Sequence, residues 1–463
     1  MPDRDERPAT MPDRARVLPV TPAEPPVKGV AGTATAHTPL ADTTPPDVEP
    51  PPRNYLLLLG QGASYGLAGK LASTNVVLPF LCAALGGSLL VAGLLDPLNT
   101  LGSLVGFSVA PAVLSTRMAS RVVLALMDIA AGALLFVLAG VSLALPDRGL
   151  AVDIVFVAVA FGSGVTSGIG IVAFTDILAR GIHHDRRSTL LLTQAAIGGA
   201  LASVVAIATT WLFASRDPIV GHISLMWFAG GFLVLAGVFT FSVGVEHVPI
   251  EGGKRRSLVT TLKDGAAAAR RYAWLRQYLT RQILFLSVAL ATTFFSIRVA
   301  ALHGSVPGSL AVLIAVASTA LVAGALLWKR VLKSRGYRGM LVGGTLCSTL
   351  AAAGAVTVER LGLVGSPFVH AVFILLATLA ADAVSVAKSA YLVEHAAPAE
   401  LPELSAFTQL VIGLASAVVA AVIATLAQVH GTVWPAAILL GLNIIAVVAA
   451  SRTPRPPSRG GSG

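Results

Sequence analysis

From Tyr55 to Ala450 the sequence is a succession of apolar runs, most of them broken only by short polar turns. Many of these runs reach roughly 18 residues or more, enough to cross a hydrocarbon layer of about 30 Å as helices. Hydrocarbon offers no water to backbone N–H and C=O groups, so a crossing chain must be helical or form a closed barrel. A barrel needs two-residue alternation of polar and apolar side chains, which continuous runs lack. The expected fold is an all-α membrane bundle. Composition agrees: 55% of the 463 residues are hydrophobic and 12% are charged, which argues for a membrane bundle rather than several soluble cores.

The pattern predicts twelve spans, near 55–83, 89–114, 122–145, 150–178, 189–214, 222–245, 282–302, 309–328, 340–358, 367–393, 406–428 and 432–450. Twelve crossings put both termini on one side. On that side fall 27 of the 33 lysines and arginines, while the other receives Arg148, Arg216 and Arg360. The excess marks the terminal side as cytoplasmic and predicts an integral multi-pass plasma (inner) membrane protein.

The formal charge of +10 therefore sets membrane orientation and implies no nucleic-acid partner. Cys82 and Cys347 both lie in apolar runs, so they suggest packing residues and neither a disulfide framework nor a zinc site. Residues 1–54 are rich in Pro, Thr, Ala and charge and are expected to be a disordered cytoplasmic tail, as are 452–463. Between them lie a six-helix half at 55–245, a basic linker at 246–281 and a second six-helix half at 282–451. Within the linker, Leu258 to Tyr278 reads as a surface helix whose bases could meet anionic lipid, or as a solvated connection.

Internal repetition supports the division. The fifth span contains Thr193-Gln194-Ala195-Ala196-Ile197-Gly198, and the eleventh contains Thr408-Gln409-Leu410-Val411-Ile412-Gly413. Equal ordinal positions favour a parallel repeat of two six-helix pseudo-repeats. With these spans, the long basic central loop and the basic loops Ala110 to Arg121 and Lys329 to Arg338, the chain resembles the major facilitator superfamily as a divergent member. The first loop lacks the family's acidic residue but keeps Arg117 and Arg121; the second keeps a glycine and the bases, including Arg335 and Arg338. The resemblance implies alternating-access transport and gives these four arginines a gating role.

No nucleotide-driven pump is evident. Ser64 to Leu71 resembles a phosphate loop only superficially, because Ser64 replaces the first glycine and Leu71 the Ser/Thr. His183-His184-Asp185 is a weak metal motif that a solvated loop explains. No cofactor, resident metal or catalytic group is expected, and the protein is not read as an enzyme.

Polar residues inside spans carry the functional reading. A central lysine costs about 2.5–3.5 kcal/mol on insertion scales, so Lys70, accompanied by Gln61 and Asn75, should face the bundle interior. Asp96 is its nearest candidate partner, either as a fixed pair or as a solute- or proton-responsive one. Asp382 lies among small residues near the middle of its span and is a cavity candidate. Lys388 is expected to snorkel, and Arg298 to do the same or to attract an anion. Asp176 and Arg180, four apart, suggest a clamp or gate. Gly62/Gly66, Gly102/Gly106 and Gly164/Gly168 allow helices to approach closely.

The sequence thus reads as a secondary transporter of a small solute. Asp382 and Asp96 are its candidate proton carriers, and export of an organic or drug-like compound is the favoured direction. Its rivals are a lipid or lipid-linked precursor translocase and a non-transporting receptor or assembly scaffold.

Overall fold

The computed structural model describes residues 52–114, 118–144, 149–213, 217–244, 258–396 and 401–452. Nearly all of tail 1–54, nearly all of tail 452–463, the start of the linker and Arg117 lie outside the described residues.

The chain forms α1 (Pro52–Leu71), α2 (Val77–Ala84), α3 (Leu89–Leu114), α4 (Ser120–Ala144), α5 (Leu150–Gly181), α6 (His184–Leu212) and α7 (Pro218–Phe241). There follow α8 (Leu258–Arg271), α9 (Ala273–Leu284), α10 (Leu286–His303), α11 (Ser309–Arg360), α12 (Pro367–His395), α13 (Leu401–His430) and α14 (Trp434–Ser451). Among the described residues, ten helical segments are long and apolar enough to cross a membrane.

Two boundaries differ from the hydropathy pattern. The expected continuous span 55–83 breaks at residues 72–76, where Val76 leaves helical geometry at φ −127°. Ser73 supplies the local reason: its hydroxyl accepts from the Val77 amide at 3.2 Å, and its carbonyl accepts from the Leu78 amide at 2.9 Å, so local bonding competes with the helical ladder. In the other direction, the spans expected at 309–328 and 340–358 are joined in α11, whose 52 residues would measure about 78 Å if straight. They are not straight. Gly336 takes φ 66°, a conformation cheap only without a Cβ, and a Cβ on Gly343 would lie 3.0 Å from the Trp328 ring. Contact across fifteen residues shows that the two arms of α11 fold back on each other.

The linker helix also divides. α8 ends at Arg271, Tyr272 is extended, and α9 runs on to Leu284. Gly265 of α8 sits directly under Phe407 of α13, where a Cβ would come within 2.1 Å of the ring. Burial of this residue ties α8 to the bundle.

Packing follows small residues where helices cross. Gly102 and Gly106 of α3 meet Gly164 and Gly168 of α5, and a Cβ on any of the four would fall 2.1–2.3 Å from a backbone oxygen of the other helix. Such backbone approach excludes every side chain. α1 lies against α6 and α7, and α4 against α5 and α7; later in the chain α11 packs against α12 and α14. α3 with α13, α6 with α11 and α2 with α10 join the first seven helices to the last seven.

The bundle has two distinguishable ends. At the end bearing the start of α1 and the finish of α14, Asn54 exchanges two hydrogen bonds with Gly244, at 3.0 and 3.1 Å. At the opposite end, Leu89 N–H donates to Gln428 Oε1 at 2.8 Å; deeper in the bundle, Ser296 donates its hydroxyl to the Val76 carbonyl, which also accepts from the Phe80 amide at 3.3 Å. The Leu89 and Ser296 bonds both join the first seven helices to the last seven, as does a hydrogen bond between the His222 side chain of α7 and the Gly304 backbone.

Candidate functional site

A cavity of about 620 Å³ runs among α1, α3, α4, α5, α6 and the 72–76 break, on the terminal side of the Leu89–Gln428 bond. Its wall carries Gln61, Tyr65, Lys70, Ser73, Thr74, Asn75, Asp96, Asn99, Asp128, Ser163, Thr166, Ser167 and Gln194. Facing these are Leu124, Met127, Leu135, Phe174 and Leu233. On α4 the lining residues Leu124, Met127, Asp128, Ala131 and Leu135 recur at helical spacing, so one stripe of that helix forms a wall.

Much of the polar wall is held by neutral hydrogen bonds. Tyr65 donates to Ser167 at 3.3 Å, and Asn99 donates to the Ala160 carbonyl at 3.1 Å. The amide of Gln194 donates to the Leu58 carbonyl at 2.6 Å, its side chain occupying the space left by Gly62. Thr74, freed from helix by the break, donates to Asp96 at 3.0 Å. Asp128 is 2% exposed and accepts from Gln61 Nε2 at 3.3 Å.

Lys70, Ser73 and Asn75 also line a second space of about 220 Å³, whose other walls include Thr292 of α10, Leu321 of α11 and Thr378, Asp382 and Ser385 of α12. Lys70 and Asn75 therefore stand between the two cavities. Asp382 Oδ2 lies where a Cβ on Gly324 would meet it at 3.3 Å, which explains the small residue opposite it on α11.

The charges combine differently from the expected Lys70 and Asp96 pair. Lys70 interacts electrostatically with Asp382, and Asp96 with Lys388, so both interactions cross from the first seven helices to α12. Among the described residues, neither closes into an ion pair within 4 Å. Lys388, expected only to snorkel, is drawn into this crossed set.

The remaining candidates lie away from the cavity. Arg298 donates to Glu359 at 2.6 Å and to Thr432 at 2.6 Å, so its charge is already answered within the last helices. Asp176 is ion-paired with Arg180 and accepts from Ser120 at 2.5 Å, fixing α4 to α5 at the terminal end. Arg121 donates to the Val243 carbonyl at 2.8 Å, just beyond α7, and Arg338 donates to the Ser451 carbonyl at the end of α14. These two arginines each bind the C-terminal end of the last helix in their own group. Arg335 is exposed, and Arg117 lies outside the described residues.

With this geometry in hand, comparison places the chain. No family model matches the sequence. Uncharacterized proteins of Mycobacterium tuberculosis and Mycobacterium bovis are 34% identical to it over 410 residues, spanning 87% of this chain and 78% of theirs. The chain belongs to their family. Among solved structures, a mutant of the nucleoside transporter NupG superposes with a TM-score of 0.67 at 12% identity, covering 86% of this chain and 98% of that one. A D-xylose-proton symporter gives 0.59 at 14% identity, covering 86% and 97%. A bacterial homologue of the iron transporter ferroportin gives 0.59 at 16% identity, covering 86% and 99%. The fold is thus a divergent form of the major facilitator fold, and the chain is an integral multi-pass membrane protein.

Sequence reasoning missed Asp128, Tyr65 and Gln194 as wall residues. Asp128 sits only eight residues into α4 and beside a basic loop, where a carboxylate reads as a solvated flank. The available signal was its phase, one turn from Leu124 and Ala131 on the buried stripe of that helix.

Proposed function

We propose that the protein is a secondary transporter that carries a small organic solute by alternating access. The observation that supports this best is the polar cavity walled by the terminal-side turns of α1, α4, α5 and α6, with the Leu89–Gln428 bond joining the two helix groups at the other end. In this reading α1 and α2 are one interrupted crossing and the arms of α11 are two, giving twelve crossings in two six-helix halves, 55–245 and 282–451, with the termini cytoplasmic in a plasma membrane. The mixed wall suits a solute with several hydrogen-bonding groups and an apolar part. Asp96 and Asp382 are the candidate proton carriers, because each exchanges influence with a lysine across the halves and either interaction could be traded during rocking. Direction follows the available gradients, since alternating access is reversible.

Sidedness of access tests this. In a background of Cys82→Ser and Cys347→Ser, the variant Asn99→Cys in sealed vesicles is expected to react with membrane-impermeant thiol reagents from both sides. Adding a Leu89→Cys/Gln428→Cys cross-link should confine labelling to the terminal side. A scaffold or receptor predicts one-sided labelling with or without the cross-link, and that result would reject the transporter reading.

A further inference from the structure

The cavity's charges are balanced except at one corner. Lys70 and Asp96 each have an opposite charge on α12 with which they interact. Asp128 has none among the described residues: the groups acting on it are neutral, Gln61 of α1, Thr240 of α7 and Tyr65 of α1. It is also one of the least exposed polar residues of the chain, at 2%. A buried carboxylate without a cation is costly to retain in a membrane span, which marks such a residue as functional.

The corner also keeps an acceptor that no donor reaches. Gln61 gives its amide hydrogen to Asp128, and its own Oε1 is buried without a partner. Thr240 of α7 is placed to give its hydroxyl hydrogen either to Asp128 or to the Ala236 carbonyl at 2.9 Å. Tyr65 spends its hydrogen on Ser167. Two acceptors are thus left under-satisfied at one place: a carboxylate without a cation and an amide oxygen without a donor. A proton would satisfy one of them. An ammonium group carries three N–H donors and a positive charge.

We infer that the Asp128 and Gln61 corner of the cavity binds the ammonium group of the transported solute, which makes that solute an organic amine. Leu124, Met127, Leu135 and Leu233 beside it would cover the amine's carbon skeleton. This rests on the cavity being the solute site of a transporter.

The test uses the full-length protein in detergent with two amine probes, 2-phenylethylamine and spermidine, and the neutral isostere 2-phenylethanol. At least one amine should raise Tm in a saturable way while 2-phenylethanol does not. The apparent affinity should fall at least about tenfold in Asp128→Asn, the loss of one charge-assisted interaction. Asp153→Asn, which alters a carboxylate bonded to the Ser88 amide outside the cavity, should keep it. If Asp128→Asn does not fold, Gln61→Leu replaces it and should weaken amine binding about threefold or more. Equal stabilisation by 2-phenylethanol, no stabilisation by either amine, or an amine preference that survives in the variants would each overturn the inference. Stabilisation by sodium chloride in place of the amines would overturn it in favour of an inorganic cation. Two-sided labelling of Asn99→Cys without amine preference sinks this inference alone; amine preference with one-sided labelling sinks the transport reading instead.

Discussion

The interiors of the two helix groups differ more than their helices do. Among α1 to α7 the centre is a cavity of about 620 Å³ walled by amides, hydroxyls and carboxylates. Among α8 to α14 the space is smaller, about 220 Å³ beside Asp382, and Phe285, Trp328, Tyr337 and Met340 pack into an apolar cluster, with Trp328 Nε1 donating to the Leu379 carbonyl at 3.0 Å. Two polar contacts here join helices of the same group: Arg298 meets Glu359, and Asn443 donates to Ser348 at 2.8 Å. The first group thus encloses the larger space and the second the smaller. The difference teaches that one bundle can place most of its polar space in one helix group while the other contributes a few charges from α12.

The comparison breaks most readily where helices touch backbone to backbone. Gly164→Leu forces a side chain into the Asn99 carbonyl, which would lie 2.1 Å from the new Cβ, and neither backbone can yield. We expect a loss of at least about 3 kcal/mol and little folded protein on fluorescence-detected size exclusion. Gly441→Ala, with nothing within 4 Å, should be neutral or slightly stabilising. Equal yields from the two would refute the close crossing of α3 and α5.

A somewhat smaller effect is expected from breaking a polar contact within the second group. Arg298→Ala leaves Glu359 without its cation at 16% exposure, costing roughly 3 kcal/mol, whereas the double change with Glu359→Ala should recover most of the loss in Tm. Additive losses would show that the pair does not stabilise the second group.

Next in size is the crossed charge set. Lys70→Ala should be partly rescued by Asp382→Ala and not by Asp96→Ala, with a coupling of about 1 kcal/mol in a double-mutant cycle read by thermal melting. Rescue by Asp96→Ala instead would restore the pairing that the sequence suggests.

The smallest effect probes what the groups share. Arg121→Ala and Arg338→Ala each remove a charged donor from the carbonyls at a helix C-terminus, and each should cost about 1 kcal/mol. Similar Tm losses support equivalent roles; a large loss from one and none from the other would separate them.

Particular residues show where sequence reasoning reached and where it stopped. The glycine pairs of α3 and α5 were legible because spacing of four marks one helix face, and that face is where the backbones meet. Lys70 was legible as an interior residue because the cost of a lysine in lipid leaves few alternatives. Its partner was not: Asp96 lies nearby in sequence, whereas Asp382 is brought within electrostatic reach only when α12 packs opposite α1. The break at 72–76 was hidden because hydropathy averages over Ser73, Thr74 and Asn75, while the backbone responds to where each hydroxyl and amide can bond.

What the sequence by itself determined is the medium and the secondary structure: apolar length leaves a chain in hydrocarbon few choices besides helix, and basic loops give those helices an expected orientation. What only the tertiary structure decided is which polar side chains share a space. Helical phase puts Gln61, Asp128 and Gln194 on interior stripes, but phase is relative to each helix alone. Their convergence on one cavity depends on how α1, α4 and α6 are rotated against one another, and that is fixed by contacts such as Gly62 beneath Gln194, formed between residues far apart in the chain.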